Sequence, residues 1–189
     1  MARGLITVKT SGLKEIVAEM EALGENYDEI LLESLKAMQN VIEDATRVNW
    51  ITIAGGKAGD YVYDSIGQSA KMSINYEHSV VGTTGVYHMD AVASKHGKSI
   101  TGEKRPVTKP DGTIVYVRDL NAPQIGYWVE FGTSRLRNGG RKVSGVEYDE
   151  KDLIVNVGKP FLSNAAYQTR EAQNKAFIET FNRLADKYK

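Results

Sequence analysis

The chain has no cysteine. That excludes a disulfide framework and thiolate metal sites, and it fits a reducing compartment. No apolar run approaches the ~18 residues that a membrane-spanning helix needs. The opening residues, MARGLITVKTSG, carry no apolar signal core, so an exported precursor is not expected. Net charge is lacking too, since 24 Lys and Arg balance 24 Asp and Glu. The balance is not even along the chain. Residues 1–50 hold five basic against nine acidic residues, a balance of −4, and residues 95–142 hold ten against four, a balance of +6. Two such regions suit a protein that meets copies of itself or its neighbours electrostatically, although solvated surface has the same composition.

What is present describes a folding chain. Apolar residues are 41 % and charged residues 25 % of 189 positions, which suits one domain, or one domain with an arm. Residues 5–10 alternate and predict a short strand, and Ser11 then caps a short helix ending at Gly24. From about Asn26 to Asn49, Ile30, Leu31, Leu35, Met38, Val41, Ile42 and Ala45 recur at helical steps, which predicts one long amphipathic helix. Gly55, Gly56 and Gly59 interrupt it as a loop. Lys71–Tyr76 and Ser79–Thr83 predict a hairpin turning near Glu77-His78.

Residues 90–123 are basic and poor in core residues, yet they hold Pro110-Asp111-Gly112 between two β-rich runs. They read as a projecting arm built on a hairpin. Ile125–Phe131 and Asp152–Gly158 follow as strands around a basic loop, SRLRNGGRK. The final helix begins near Pro160, with Phe177, Phe181, Leu184 and Tyr188 on one face.

Chemistry is hard to find. His78, His88 and His96, with Asp90, are spaced too loosely for a metal site. Gly97-Lys98-Ser99 ends like a phosphate loop, but Val92 stands where the first glycine belongs. No serine occupies a nucleophile elbow. Glu130 is a candidate half of a carboxylate pair with Asp90 or Glu147, though nothing in the sequence brings them together. The aromatics of the β-rich half, among them Tyr61, Tyr63, Tyr76, Tyr87 and Tyr116, suit packing and interfaces more than base stacking.

One pair of motifs is distinctive. Tyr127-Trp128-Val129-Glu130-Phe131-Gly132-Thr133 is followed later by Pro160-Phe161-Leu162 and Ala165, opening a C-terminal helix. Upstream lie a long helix, a glycine connection and Asp64-Ser65-Ile66. This order resembles the tail-component family of HK-type lambdoid phages, neck and tail-completion proteins similar in role to minor tail protein Z. That family shows Gly-x-Leu-x-x-Ser-Ile where this chain has Val62 and Asp64. It also lacks an arm before the Glu-Phe-Gly-Thr segment.

The resemblance implies an α+β fold, with an antiparallel sheet packed by the long helix and the C-terminal helix. It implies a structural virion protein of the head–tail joint, without catalysis, cofactor or membrane, present in host cytoplasm during assembly. Partners would be copies of itself in a ring (hexamer or dodecamer), connector or head-closure proteins, tail-terminator or tail-tube proteins, and the genomic duplex DNA in the lumen. Interface candidates are Tyr127, Trp128, Glu130, Phe131, Gly132, Thr133, Pro160, Phe161 and Leu162. Strand alternation would turn Tyr127, Val129 and Phe131 to one face and Trp128 and Glu130 to the other, so the Glu130 carboxylate is expected to face a partner or solvent. Basic candidates are Lys104, Arg105, Lys109 and Arg118 on the arm and Arg135, Arg137, Arg141 and Lys142 on the loop. The alternative is a nucleic-acid-binding module that uses this basic arm.

Overall fold

The computed structural model describes residues 24–74, 76, 79–98, 104–136 and 153–188. The strand expected at 5–10, the helix expected from Ser11 and the Glu77-His78 turn lie outside the described residues. The protein is α+β. A long helix, α1 (Tyr27–Asn49), leads into one wider π-helical turn, Trp50–Ala54. Asp28 and Glu29 sit in the first turn of α1 and Arg47 in its last, matching the helix dipole at both ends.

After the glycine loop come a single helical turn, α2 (Tyr61–Asp64), and an antiparallel ribbon of β1 (Ile66–Met72) and β2 (Val80–Val86). The ribbon starts five residues earlier than its sequence pattern predicts, because Ser65-Ile66 already enter the core. A short helix α3 (Asp90–Lys95) precedes a second ribbon of β3 (Lys104–Thr108) and β4 (Ile114–Arg118). Helix α4 (Ala122–Phe131) then runs into a third ribbon, β5 (Gly132–Leu136) with β6 (Leu153–Val157). The chain ends in α5 (Phe161–Gln168) and α6 (Arg170–Tyr188), divided at Thr169. The antiparallel pairing is thus spread over three two-stranded ribbons.

Two apolar clusters hold the helices and the first ribbon together. In one, Tyr27 and Ile30 of α1 meet Ala185 of α6, flanked by Leu31, Phe181 and Leu184. The Tyr27 and Phe181 rings meet edge-on at 6.2 Å. In the other, Trp50, Tyr61, Val62, Ile66, Ala93, Ala122 and Phe161 converge, and Trp50 meets Phe161 edge-on at 5.1 Å. Phe161 is fully buried, so truncating it to alanine should cost about 3–5 kcal/mol.

Polar groups buried along α1 bond partly within the helix and partly to distant segments. Ser34 Oγ donates to the Ile30 carbonyl and Thr46 Oγ1 to that of Ile42. Asn49 Nδ2 donates to the Phe161 carbonyl at 3.1 Å, which ties the end of α1 to the start of α5. Trp50 Nε1 donates to Asp60 Oδ2 at 2.9 Å, and Asp60 Oδ1 also accepts from the Tyr63 amide to cap α2.

The segment 90–123 is not one arm. Ala93 on α3 and Ala122 at the start of α4 are both fully buried in the Trp50 cluster. Small side chains there allow close approach, which a composition-based reading takes for missing core. The part that stands clear is the β3–β4 hairpin, and no other described element packs against it beyond isolated contacts. Its Pro110-Asp111-Gly112 turn forms as expected. The Gly112 amide donates to the Lys109 carbonyl and the Thr113 amide to Asp111 Oδ1, each at 2.9 Å.

Candidate functional site

The segment around YWVEFGT is helical, which corrects the strand expected at Ile125–Phe131. Asn121 caps α4, its side chain accepting from the Gln124 amide at 2.8 Å while Gln124 Oε1 accepts from the Asn121 amide. Pro123 sits in the first turn. Asn-Ala-Pro-Gln is therefore a capping box. That signal was available in the sequence and outweighs the β-rich composition that follows it.

Helical periodicity replaces alternation, and the exposed and buried sets change. At about 100° per residue, Tyr127, Trp128 and Phe131 share one stripe, while Ala122, Gly126, Val129 and Glu130 share the opposite one. Burial follows this division. Tyr127, Trp128 and Phe131 are 61 %, 42 % and 67 % exposed, whereas Ala122, Gly126 and Glu130 are buried. Helix α4 packs inward with its small residues and displays its aromatics. The close packing is needed at Gly126, where a Cβ would lie 2.9 Å from Val86 Cγ2.

Glu130 does not face a partner. It is 6 % exposed and belongs to the start of α5. Its Oε2 accepts from the Leu162 amide at 2.9 Å and its Oε1 from the Ser163 amide at 3.0 Å, with the Ser163 hydroxyl also bonded to Oε1. The first amides of a helix have no partner within it, and a carboxylate placed there also suits the dipole. α5 opens on Pro160 and has no cap from its own N-terminal residues. Glu130, supplied from 30 residues upstream, is that cap.

The same junction explains the glycine stop. Gly132 has φ 78° and ψ 176°, a backbone conformation essentially confined to glycine. A Cβ there would lie 2.4 Å from the Asn156 carbonyl oxygen and 2.7 Å from the Gly158 amide nitrogen. A Cβ on Gly158 would likewise lie 2.5 Å from the Glu130 carbonyl oxygen. At Gly132 and Gly158 the chain entering β5 and the chain leaving β6 are in direct backbone contact. The Lys159 amide then donates to the Val129 carbonyl at 2.7 Å, and Asn156 Nδ2 donates to Thr133 Oγ1 at 3.0 Å. Carboxylate, glycine and Pro-Phe-Leu are parts of one clasp. Ser163 is the member that the sequence reading missed.

Two hollows flank the exposed stripe. One, of about 250 Å³, is lined by Val86, Pro123, Tyr127, Phe131 and Leu162 among others. The second, of about 320 Å³, is lined by Leu120, Ile125, Trp128, Val157 and Lys159 among others. Val157 on β6, which lines the second hollow, is exposed, and so is Val155 two residues before it on the strand.

The remaining candidates do not converge. Lys104 and Lys109 are exposed on the hairpin, and Arg105 and Arg118 are positions in its strands. Arg135 is in β5, while Arg137, Arg141, Lys142 and Glu147 lie outside the described residues. His88 Nε2 is 3.3 Å from Asp90 Oδ1. His96 Nε2 is instead 2.9 Å from Asp64 Oδ2, which also accepts from Lys95 Nζ at 2.7 Å. These two bonds, that of Lys95 first, hold the Asp64 carboxyl below its usual range. Among the described residues no three His, Asp or Glu side chains gather to hold a metal. No described helix is long and apolar enough to cross a membrane.

No family model, characterised protein or solved structure matches the chain.

Proposed function

We propose that this chain is a structural protein of a tailed-phage virion, a subunit of a ring at the head–tail joint. The observation that carries the reading is the clasp. Residues 127–133 and 160–162, the two segments that resemble the phage tail-component family, are joined through Glu130. Their joint leaves Tyr127, Trp128 and Phe131 on the surface. Glu130, the carboxylate most open to a catalytic reading, has its oxygens committed to the α5 amides. That use of a buried acid is structural and favours an assembly part over an enzyme. In this role the protein would stack between connector or head-closure proteins and tail-terminator or tail-tube proteins, around the DNA path.

The test is an image of purified necks from particles that carry an affinity tag on this chain, together with the mass of the isolated protein. A ring containing the tagged chain at the head–tail junction is the expected result. Intact particles without the chain would refute the reading. A second reading, a nucleic-acid-binding module, is favoured by one feature: the hairpin presents Lys104, Lys109 and Tyr116 to solvent. Binding of the free protein to short duplex DNA that weakens steeply with salt would support it instead.

A further inference from the structure

We propose that the β3–β4 hairpin of one copy docks on the aromatic stripe of α4 in a second copy, with its apolar side chains entering the hollows beside Trp128 and Tyr127. This deepens the ring reading and rests only on its self-association, not on the virion setting. Among the described residues, two surfaces of the same chain are unpartnered and chemically alike. The hairpin exposes Ile114 and Tyr116, 60 % and 66 %, and no described element packs extensively against it. A lone two-stranded hairpin is at best marginally stable in water, so an ordered one with an apolar face calls for a partner.

The acceptor is the α4 stripe. With about 150–250 Å² per aromatic side chain, the exposed parts of Tyr127, Trp128 and Phe131 come to on the order of 350 Å². Leu120, Val155 and Val157 extend this to on the order of 500 Å², the size of the largest apolar patch on a typical monomer, which is often functional. A similar area from the hairpin brings the contact to about 1,000 Å², the lower edge for specific association. A second copy is the occupant that supplies a matching apolar hairpin without invoking another molecule.

The chain's own hairpin is not the occupant of its own stripe, since β4 is joined to α4 by only three residues and leaves Trp128 exposed. Donor and acceptor surfaces differ, so the contact can repeat head-to-tail from copy to copy, and it closes a ring where the rotation between copies allows. The stripe is of the kind that binding hot spots use, rich in Tyr and Trp.

The experiment uses the full chain. Light scattering over a concentration series is compared for the wild type, for Ile114→Asp with Tyr116→Asp, and for Trp128→Asp. Each variant should keep the wild-type melting profile, because these side chains lie outside both apolar clusters. Each should also raise the concentration needed for association at least tenfold. Crosslinking is the second measurement, and the absence of cysteine makes it clean. Thr108→Cys protein mixed with Val155→Cys protein should be joined by a short bismaleimide. Thr108→Cys mixed with Asn182→Cys, an exposed position on α6, should be joined far less. Variants that retain the wild-type oligomer, or equal crosslinking to both positions, overturn this contact and leave the ring reading standing. A wild-type chain that stays monomeric throughout overturns the contact as well, and the imaging of necks then decides the ring reading separately.

Discussion

Glu130→Ala should destabilise the fold strongly although it removes no apolar contact from either core cluster. The alanine leaves the amides of Leu162 and Ser163 and the Ser163 hydroxyl without their acceptor. Losing an N-terminal cap costs about 0.5–2 kcal/mol. Leaving a buried donor unsatisfied costs about 1–3 kcal/mol. The two descriptions overlap, because they count the same amides, so a total of about 2–4 kcal/mol is expected. For a chain of this length that corresponds to a fall in melting temperature of about 5–12 °C. Glu130→Gln keeps one acceptor oxygen but turns an amide donor toward other donors and removes the charge at the helix start, so about 1–2 kcal/mol should be lost. Urea denaturation gives both values, with an unchanged slope showing that the same surface unfolds. A cycle with Ser163→Ala isolates the shared hydroxyl bond, and a coupling of at least about 0.5 kcal/mol is expected. If Glu130→Ala falls within about 0.5 kcal/mol of wild type, the amides have found water or the helix has shifted, and the clasp is not what holds α5.

Gly132→Val should be worse than a conformational penalty of about 1–3 kcal/mol, because its Cβ would also press on the Asn156 carbonyl; a thermal melt within a few degrees of wild type would contradict this. Gly158→Ala should show a related defect through the Glu130 carbonyl, so the two substitutions together should cost less than their sum. Asp64 has its carboxyl pKa depressed by Lys95 and then His96, so its contribution is present at neutral pH and is lost as pH falls below about 4 toward the folded value. Asp64→Asn should therefore be less stable than wild type at pH 7 and converge with it in strong acid, and a gap that widens in acid would reverse the assignment. Deleting residues 104–118 and closing the gap with a short glycine linker should leave cooperative unfolding and melting temperature nearly unchanged, as read by circular dichroism, because both clusters lie outside the hairpin.

The sequence alone was sufficient wherever a local rule acts over neighbouring residues. The apolar stripe of α1, the glycine stop after it, the Pro110-Asp111-Gly112 turn and the helix after Pro160 are all set by spacing or by one residue's backbone preference. The α+β class was what the family resemblance implied, and the folded chain shows it. The helical state of α4 was legible too, in Asn121 and Gln124, but composition obscured it, since Ile, Tyr, Trp, Val and Phe in succession favour a strand. Other features exist only once distant segments meet. Ala93 and Ala122 show no core signal in sequence, because their burial depends on how closely α3 and α4 approach Trp50. The role of Glu130 was equally hidden. A carboxylate in an apolar run can be a ligand, a catalyst or an interface charge, and only the arrival of Leu162 and Ser163 at its oxygens makes it a cap. The tertiary structure likewise decided which aromatics are spare: with small residues turned inward, Tyr127, Trp128 and Phe131 had no core left to enter.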